Sequence, residues 1–260
     1  MKTRPRDVWR FLAATRGYYP NFNPPLRYVL EKKWDLVGRI DTLFCPTSGL
    51  DRYQLFVTER VLELPFAHRA LDQLPGSRIL EFGCANSQLC VELASRGMMV
   101  TGVDLRAHPL THPNFVFRQG DFFDQDFKES FDAVIAISAV EHVGLGAFGE
   151  DEREAGADRQ LVESFSRLLR AGGQLILTVP FGKWNVNPRY RVYDVEALEI
   201  LLEGFDIDCE EYYRRTNQSV WLPATANELA QVEWYPSGHG AEGVAMIAAR
   251  RPGGVLEAQA

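Results

Sequence analysis

Between residues 78 and 142, short apolar runs stop one after another at acidic residues, and this succession limits the folds open to the chain. Arg78-Ile79-Leu80-Glu81-Phe82-Gly83 reads as a buried strand running into a tight turn and then a helix. Met98–Asp104 reads as a second strand ending in an acid, and Phe115–Asp121 as a third. Phe131–Ile137 is a fourth, continuing into Ser138-Ala139-Val140-Glu141-His142. In an open parallel sheet, ligands lie beyond the carboxyl ends of the strands, where the strand order reverses. Glu81, Asp104 and Asp121 sit at such ends, and together they outline a site for a nucleoside.

The segment Glu81-Phe82-Gly83-Cys84-Ala85-Asn86-Ser87 carries a single glycine. Later, Leu168–Thr178 places Ala171-Gly172-Gly173 ahead of another apolar run. With the strand-end acids, these segments resemble the class I S-adenosylmethionine-dependent methyltransferases over roughly residues 70–250. In that family the first strand ends in acid-x-Gly-x-Gly-x-Gly. Here Ala85 and Ser87 stand at the second and third glycine positions, which small residues fill where close approach matters more than positive φ. The resemblance implies an α/β fold: a Rossmann-like, doubly wound sheet of about seven strands, mostly parallel, with the last strand antiparallel. It also implies S-adenosyl-L-methionine as cofactor. By the family pattern Asp104 accepts from both ribose hydroxyls, Asp121 accepts from the adenine amino group, and Phe122 packs on the ring. Glu81 faces the methionine amino group and Gly83 admits close backbone approach, while Ala85, Leu105 and Ser138 complete the cofactor-binding set. Taken singly, each aspartate is also an ordinary capping acid; the order of the whole set points to the cofactor.

The catalytic candidates are His142 and Glu141, where relatives place groups facing the transferred methyl. An imidazole with an unperturbed pKa near ~6.5 suits removal of a hydroxyl proton. Some relatives carry Glu-x-x-Glu-His here and bind a divalent metal. In this chain Ser138 replaces the first glutamate, leaving too few ligands, so no metal is expected. The following Glu-His-Val-Gly-Leu-Gly-Ala-Phe-Gly resembles a bacterial methyltransferase subgroup linked to surface-glycan assembly, which implies a sugar hydroxyl as acceptor. None of the five tryptophans or nine tyrosines falls within residues 76–175. They lie in the segments expected to wall an acceptor pocket, so Tyr190, Arg191, Trp221 and Trp234 are the candidate substrate-binding residues. The plainer reading is that these rings anchor peripheral segments to the body.

A net charge of −7 argues against general nucleic-acid binding. Cys45, Cys84, Cys90 and Cys209 show no CxxC spacing and read as reduced thiols. Val8–Ala14 is interrupted by Arg10 and makes a poor signal peptide, and no run approaches the ~20 apolar residues of a membrane span, so a cytoplasmic protein is expected. Residues 1–64 read as an N-terminal helical extension, with Leu26 to Phe44 at helical spacing after Pro24-Pro25. Residues 65–252 read as the main domain, with an insertion at 214–242, and 253–260 is expected to be a disordered tail. Pro65 is expected to open a helix reaching Leu74. Two other functions use parts of the same pattern. An NAD-dependent oxidoreductase wants G-x-G-x-x-G, of which only Gly83 is present. A non-catalytic cofactor-binding partner is supported by the glycine-poor turn.

Overall fold

The computed structural model describes residues 57–73, 75–85, 87–128, 130–149, 153, 155–216, 220–233 and 242–253. The chain divides into two units, Met1–Val57 and Thr58–Ala260. The helix expected after Pro24-Pro25, Cys45, Trp234 and the tail from residue 254 lie outside the described residues.

The second unit is built on strands β1 (Arg78–Phe82), β2 (Met99–Asp104), β3 (Phe115–Gln119), β4 (Phe131–Ile137), β5 (Leu169–Pro180), β6 (Asn185–Val186), β7 (Arg191–Val192), β8 (Asp206–Arg215), β9 (Trp221–Ala224) and β10 (Gly243–Arg250). Eight of them form one sheet in the order β3-β2-β1-β4-β5-β10-β8-β9. The first five in that order are parallel. The last strand in sequence, β10, runs antiparallel to both its neighbours, as the resemblance implies. β9 adds an eighth strand at the edge, antiparallel to β8, inside the stretch expected to be an insertion. The 181–193 loop contains a small hairpin of its own, β6 paired with β7.

Alternate residues of each central strand face opposite layers, as the period of two requires. Leu80, Val134 and Ala136 pack with helices α3 (Ala157–Leu168) and α4 (Val195–Leu201). Ile79, Ala133 and Ile135 pack with α1 (Arg60–Ala70) and α2 (Leu89–Ser95). Asp194 caps α4 by accepting from the Ala197 N–H at 2.9 Å. Helix α1 differs from the sequence reading. It opens at Arg60 and carries Pro65 inside it, because Glu63, Phe66 and Ala67 are buried and their tertiary contacts outweigh one lost helical hydrogen bond.

Candidate cofactor cleft and active site

Strand order reverses between β1 and β4, and the cleft lies beyond the carboxyl ends of this pair and of β2 and β3. Gly83 makes the floor. Its N–H donates to the Val103 carbonyl at 2.9 Å, and its φ of 74° is a left-handed value that favours glycine. A Cβ here would lie 2.5 Å from the Cβ of Ala139, so the close approach of the β1 and β4 turns needs a bare backbone. Ala85, at the family's second glycine position, donates its N–H to Asp104 Oδ2 at 2.8 Å, and the Arg106 N–H donates to Oδ1 at 2.9 Å. The ribose candidate is thus fixed by the first turn and by its own. Asp121 Oδ1 accepts from the Phe123 N–H at 2.9 Å. Gly83, Asp104, Leu105, Asp121, Phe122 and His142 line a common cleft of about 660 Å³, part of it open to solvent.

Two arginines complete this electrostatic picture, and the sequence reading did not single out either one. Arg106 reaches back to Asp104, with Nε at 3.3 Å and Nη2 at 3.4 Å from its oxygens. The guanidinium carbon also lies 4.9 Å from the centre of the Phe148 ring, which meets the His142 ring edge-on at 4.9 Å. Arg153 donates to Asp121 Oδ2 at 2.8 Å and stands 4.4 Å over the Phe123 ring. Phe148 and Arg153 both follow β4 in sequence, so two residues from beyond His142 stand beside the groups that hold the strand-end acids.

His142 lies in a short 3₁₀ turn, Val140–His142, directly after β4. Its Nδ1 is 2.5 Å from the Arg189 carbonyl oxygen in the β6–β7 hairpin. A carbonyl only accepts, so Nδ1 carries the hydrogen and Nε2 is the basic nitrogen of the neutral ring. Nε2 is 3.7 Å from Glu141 Oε1. Glu141 is buried, and burial, reinforced by the nearby Glu63 charge, lifts its carboxyl well above the ordinary range. Its Oε2 has no hydrogen-bond partner. Glu141 therefore favours its neutral form. Among the described residues, no three His, Cys, Asp or Glu side chains are grouped to hold a metal ion.

Several expected site residues stand elsewhere. Glu81 is buried beside α2 and accepts from the Cys90 thiol at 2.8 Å; it does not line the cleft, and burial raises its pKa. Ser138 gives its hydroxyl to Glu63 rather than to the cleft. Arg191, a candidate substrate-binding residue, does not line the cleft. It is buried, donates to the carbonyls of Glu141 at 3.3 Å and Val143 at 2.8 Å, and pairs with Asp158 at 3.5 Å. Its work is to clamp the post-β4 turn onto α3. Tyr190 sits in the hairpin turn, held by its N–H on Asn187 Oδ1 at 3.2 Å, beside the carbonyl that holds His142. Trp221 lies on β9, four strands beyond β4 and so roughly 19 Å away at ~4.8 Å per strand. It does not line this cleft.

Residues 80–177, from β1 through most of β5, match the profile of a family described as a methyltransferase domain. A ubiquinone biosynthesis O-methyltransferase of Saccharophagus degradans is 22% identical over 214 residues, covering 76% of this chain and 78% of the relative. Another, from Alkalilimnicola ehrlichii, is 30% identical over 154 residues, 55% of this chain and 56% of that one, so the match spans little more than half of the second relative. Among solved structures, a Burkholderia thailandensis 1,6-didemethyltoxoflavin-N1-methyltransferase with bound 1,6-didemethyltoxoflavin and S-adenosylhomocysteine superposes with a TM-score of 0.52. It is 16% identical, covering 90% of this chain and 93% of that one, which shows the shared fold. The matched segment and these relatives make the chain similar to methyltransferases.

Proposed function

We propose that this protein moves a methyl group to a hydroxyl of a small-molecule acceptor, with His142 as general base. The observation that carries the reading is the Arg189 carbonyl on His142 Nδ1, which fixes the tautomer and leaves Nε2 basic at the mouth of the cleft. The residues present fit S-adenosylmethionine. Gly83 lines the cleft with bare backbone, and the carboxylates of Asp104 and Asp121, acceptors only when ionised, suit ribose hydroxyls and an adenine amino group. Ribose hydroxyls would take the places of the two long Arg106 contacts on Asp104. When bound, the cofactor supplies an electrophilic methyl on a sulfonium for in-line displacement.

The protein's own contribution is positioning and proton removal. The turn after β4, clamped by Arg191, sets the approach of the acceptor, and His142 Nε2 takes the hydroxyl proton as the oxygen attacks. Burial disfavours the charged form of Glu141 beside the imidazole. The names of the relatives support oxygen as the methylated atom. A glycan hydroxyl rests on the Glu-His-Val-Gly-Leu-Gly-Ala-Phe-Gly wording alone. Tyr190, next to Arg189, is the remaining aromatic candidate for the acceptor side. The test is transfer of labelled methyl to a panel of phenols and vicinal diols. His142→Ala should lower kcat by roughly 10²–10⁴-fold and remove the ascending limb of the pH–rate profile, with little change in cofactor affinity. A folded variant with unchanged kcat would show that proximity alone drives the reaction.

A further inference from the structure

Ser138, the first residue past β4, has a φ of 42° and is the only non-glycine residue with positive φ among those described. The left-handed region is costly for a residue with a Cβ and persists only where the surroundings over-determine it. The surroundings here are identifiable. The Ser138 N–H faces both the carbonyl and the hydroxyl oxygen of Thr178 at 3.0 Å, on neighbouring β5. Its hydroxyl donates to Glu63 Oε1 at 2.5 Å, and the Thr178 hydroxyl donates to the same oxygen at 2.7 Å. Arg60 Nη1 donates to Glu63 Oε2 and to the Ile137 carbonyl, both at 3.0 Å, pinning the peptide just before Ser138. Glu63 itself is fully buried. One carboxylate on α1 therefore gathers donors from the turn after β4, from β5 and from its own helix around a single strained residue.

That strain has a downstream geometry. Ser138 leads into Ala139, whose Cβ fills the space a side chain at Gly83 would need, and then into the turn that carries His142. We infer that Glu63 is a positioning residue: by holding Ser138 in its left-handed conformation it sets the floor of the cofactor cleft and the aim of His142. This makes α1, which lies before the matched domain, part of the site's construction. The inference rests on the cleft and base assigned above. It needs no contact between Glu63 and any ligand.

A glycine at 138 adopts the same φ without help, so it separates conformational support from simple packing. The experiment compares the intact protein with Glu63→Ala, Glu63→Gln and the double variant Glu63→Ala/Ser138→Gly. S-adenosylhomocysteine affinity is measured by calorimetry, and the His142 tautomer by ¹H–¹⁵N correlation spectroscopy. Glu63→Ala should weaken binding about tenfold or more, on the scale of the strain released, and blur the Nδ1–H tautomer. Glu63→Gln, which keeps an acceptor for both hydroxyls, should fall between the two. The double variant should recover affinity and tautomer together. If Glu63→Ala loses only thermal stability, or if glycine at 138 recovers neither readout, the inference is overturned. Should Glu63→Ala fail to fold, the Gln variant, with and without Ser138→Gly, decides it by the same two readouts. Absence of any S-adenosylhomocysteine binding by the unaltered protein would instead overturn the reading of the cleft.

Discussion

Asp104 and Asp121 were legible because each ends an apolar run, and a strand's carboxyl end is where the chain must turn. Their arginine partners were not. Arg106 and Arg153 reach the acids through side-chain rotamers and a folded-back loop, neither of which leaves a periodic trace in sequence. Buried ionisable groups are harder still, since Glu and Arg are almost never fully buried unless paired and read by default as surface. Glu63, Glu141 and Arg191 all break that default. For Glu141 the break has a measurable consequence. A carboxyl whose pKa is higher folded than unfolded holds more protons in the native state between the two values, so stability falls as pH rises through that window. The burial of Glu141 puts the start of its window near the ordinary value of 4.5. Burial raises Glu81, and burial with the Glu63 charge raises Glu59, in the same direction, so only a comparison between variants isolates Glu141. Thermal melting at a series of pH values should show Glu141→Gln losing less stability than the parent as pH rises from about 4.5 toward neutrality. Parallel curves for the two proteins would mean that Glu141 is charged in the fold.

At the scale of elements, the central strands fall close to their expected positions, because apolar runs specify them locally. The departures come from tertiary context. Helix α1 extends back past Pro65 on the strength of buried Glu63 and Phe66, which hid Arg60 and Glu63 from a reading that began the helix at the proline. The stretch after β8 looked like an aromatic acceptor wall, yet Trp221 forms part of an edge strand. It packs against the layer that contains Phe66 and Met246, with the Arg215 guanidinium 5.6 Å from its ring. Removing the half-buried indole should therefore cost stability. About 2–3 kcal/mol is expected, below the 3–5 kcal/mol typical of a fully buried aromatic. Trp221→Ala measured by denaturant unfolding and by S-adenosylhomocysteine titration should show that loss with cofactor affinity intact. An unchanged unfolding midpoint together with a raised acceptor KM would return Trp221 to the acceptor pocket.

For the molecule as a whole, the sheet order follows from a rule that the sequence exposes. Parallel strands build outward from β1 through β2 to β3, with a helix between β1 and β2, return beside β1 at β4, and leave a crevice at the reversal. The antiparallel β10 and the extra β9 close the far side without touching that crevice. Two layers of helices cover the faces, and no helix among the described residues is long and apolar enough to cross a membrane. The central claim is that this crevice holds the cofactor with Asp104 on its ribose. Calorimetric titration of S-adenosylhomocysteine into the parent protein and into Asp104→Ala tests it most directly. Losing hydrogen bonds to a charged acceptor costs on the order of 1.5–3 kcal/mol, so the account expects single-site binding by the parent and roughly tenfold to hundredfold weaker binding by the folded variant. Equal affinity in a variant that melts like the parent would contradict it.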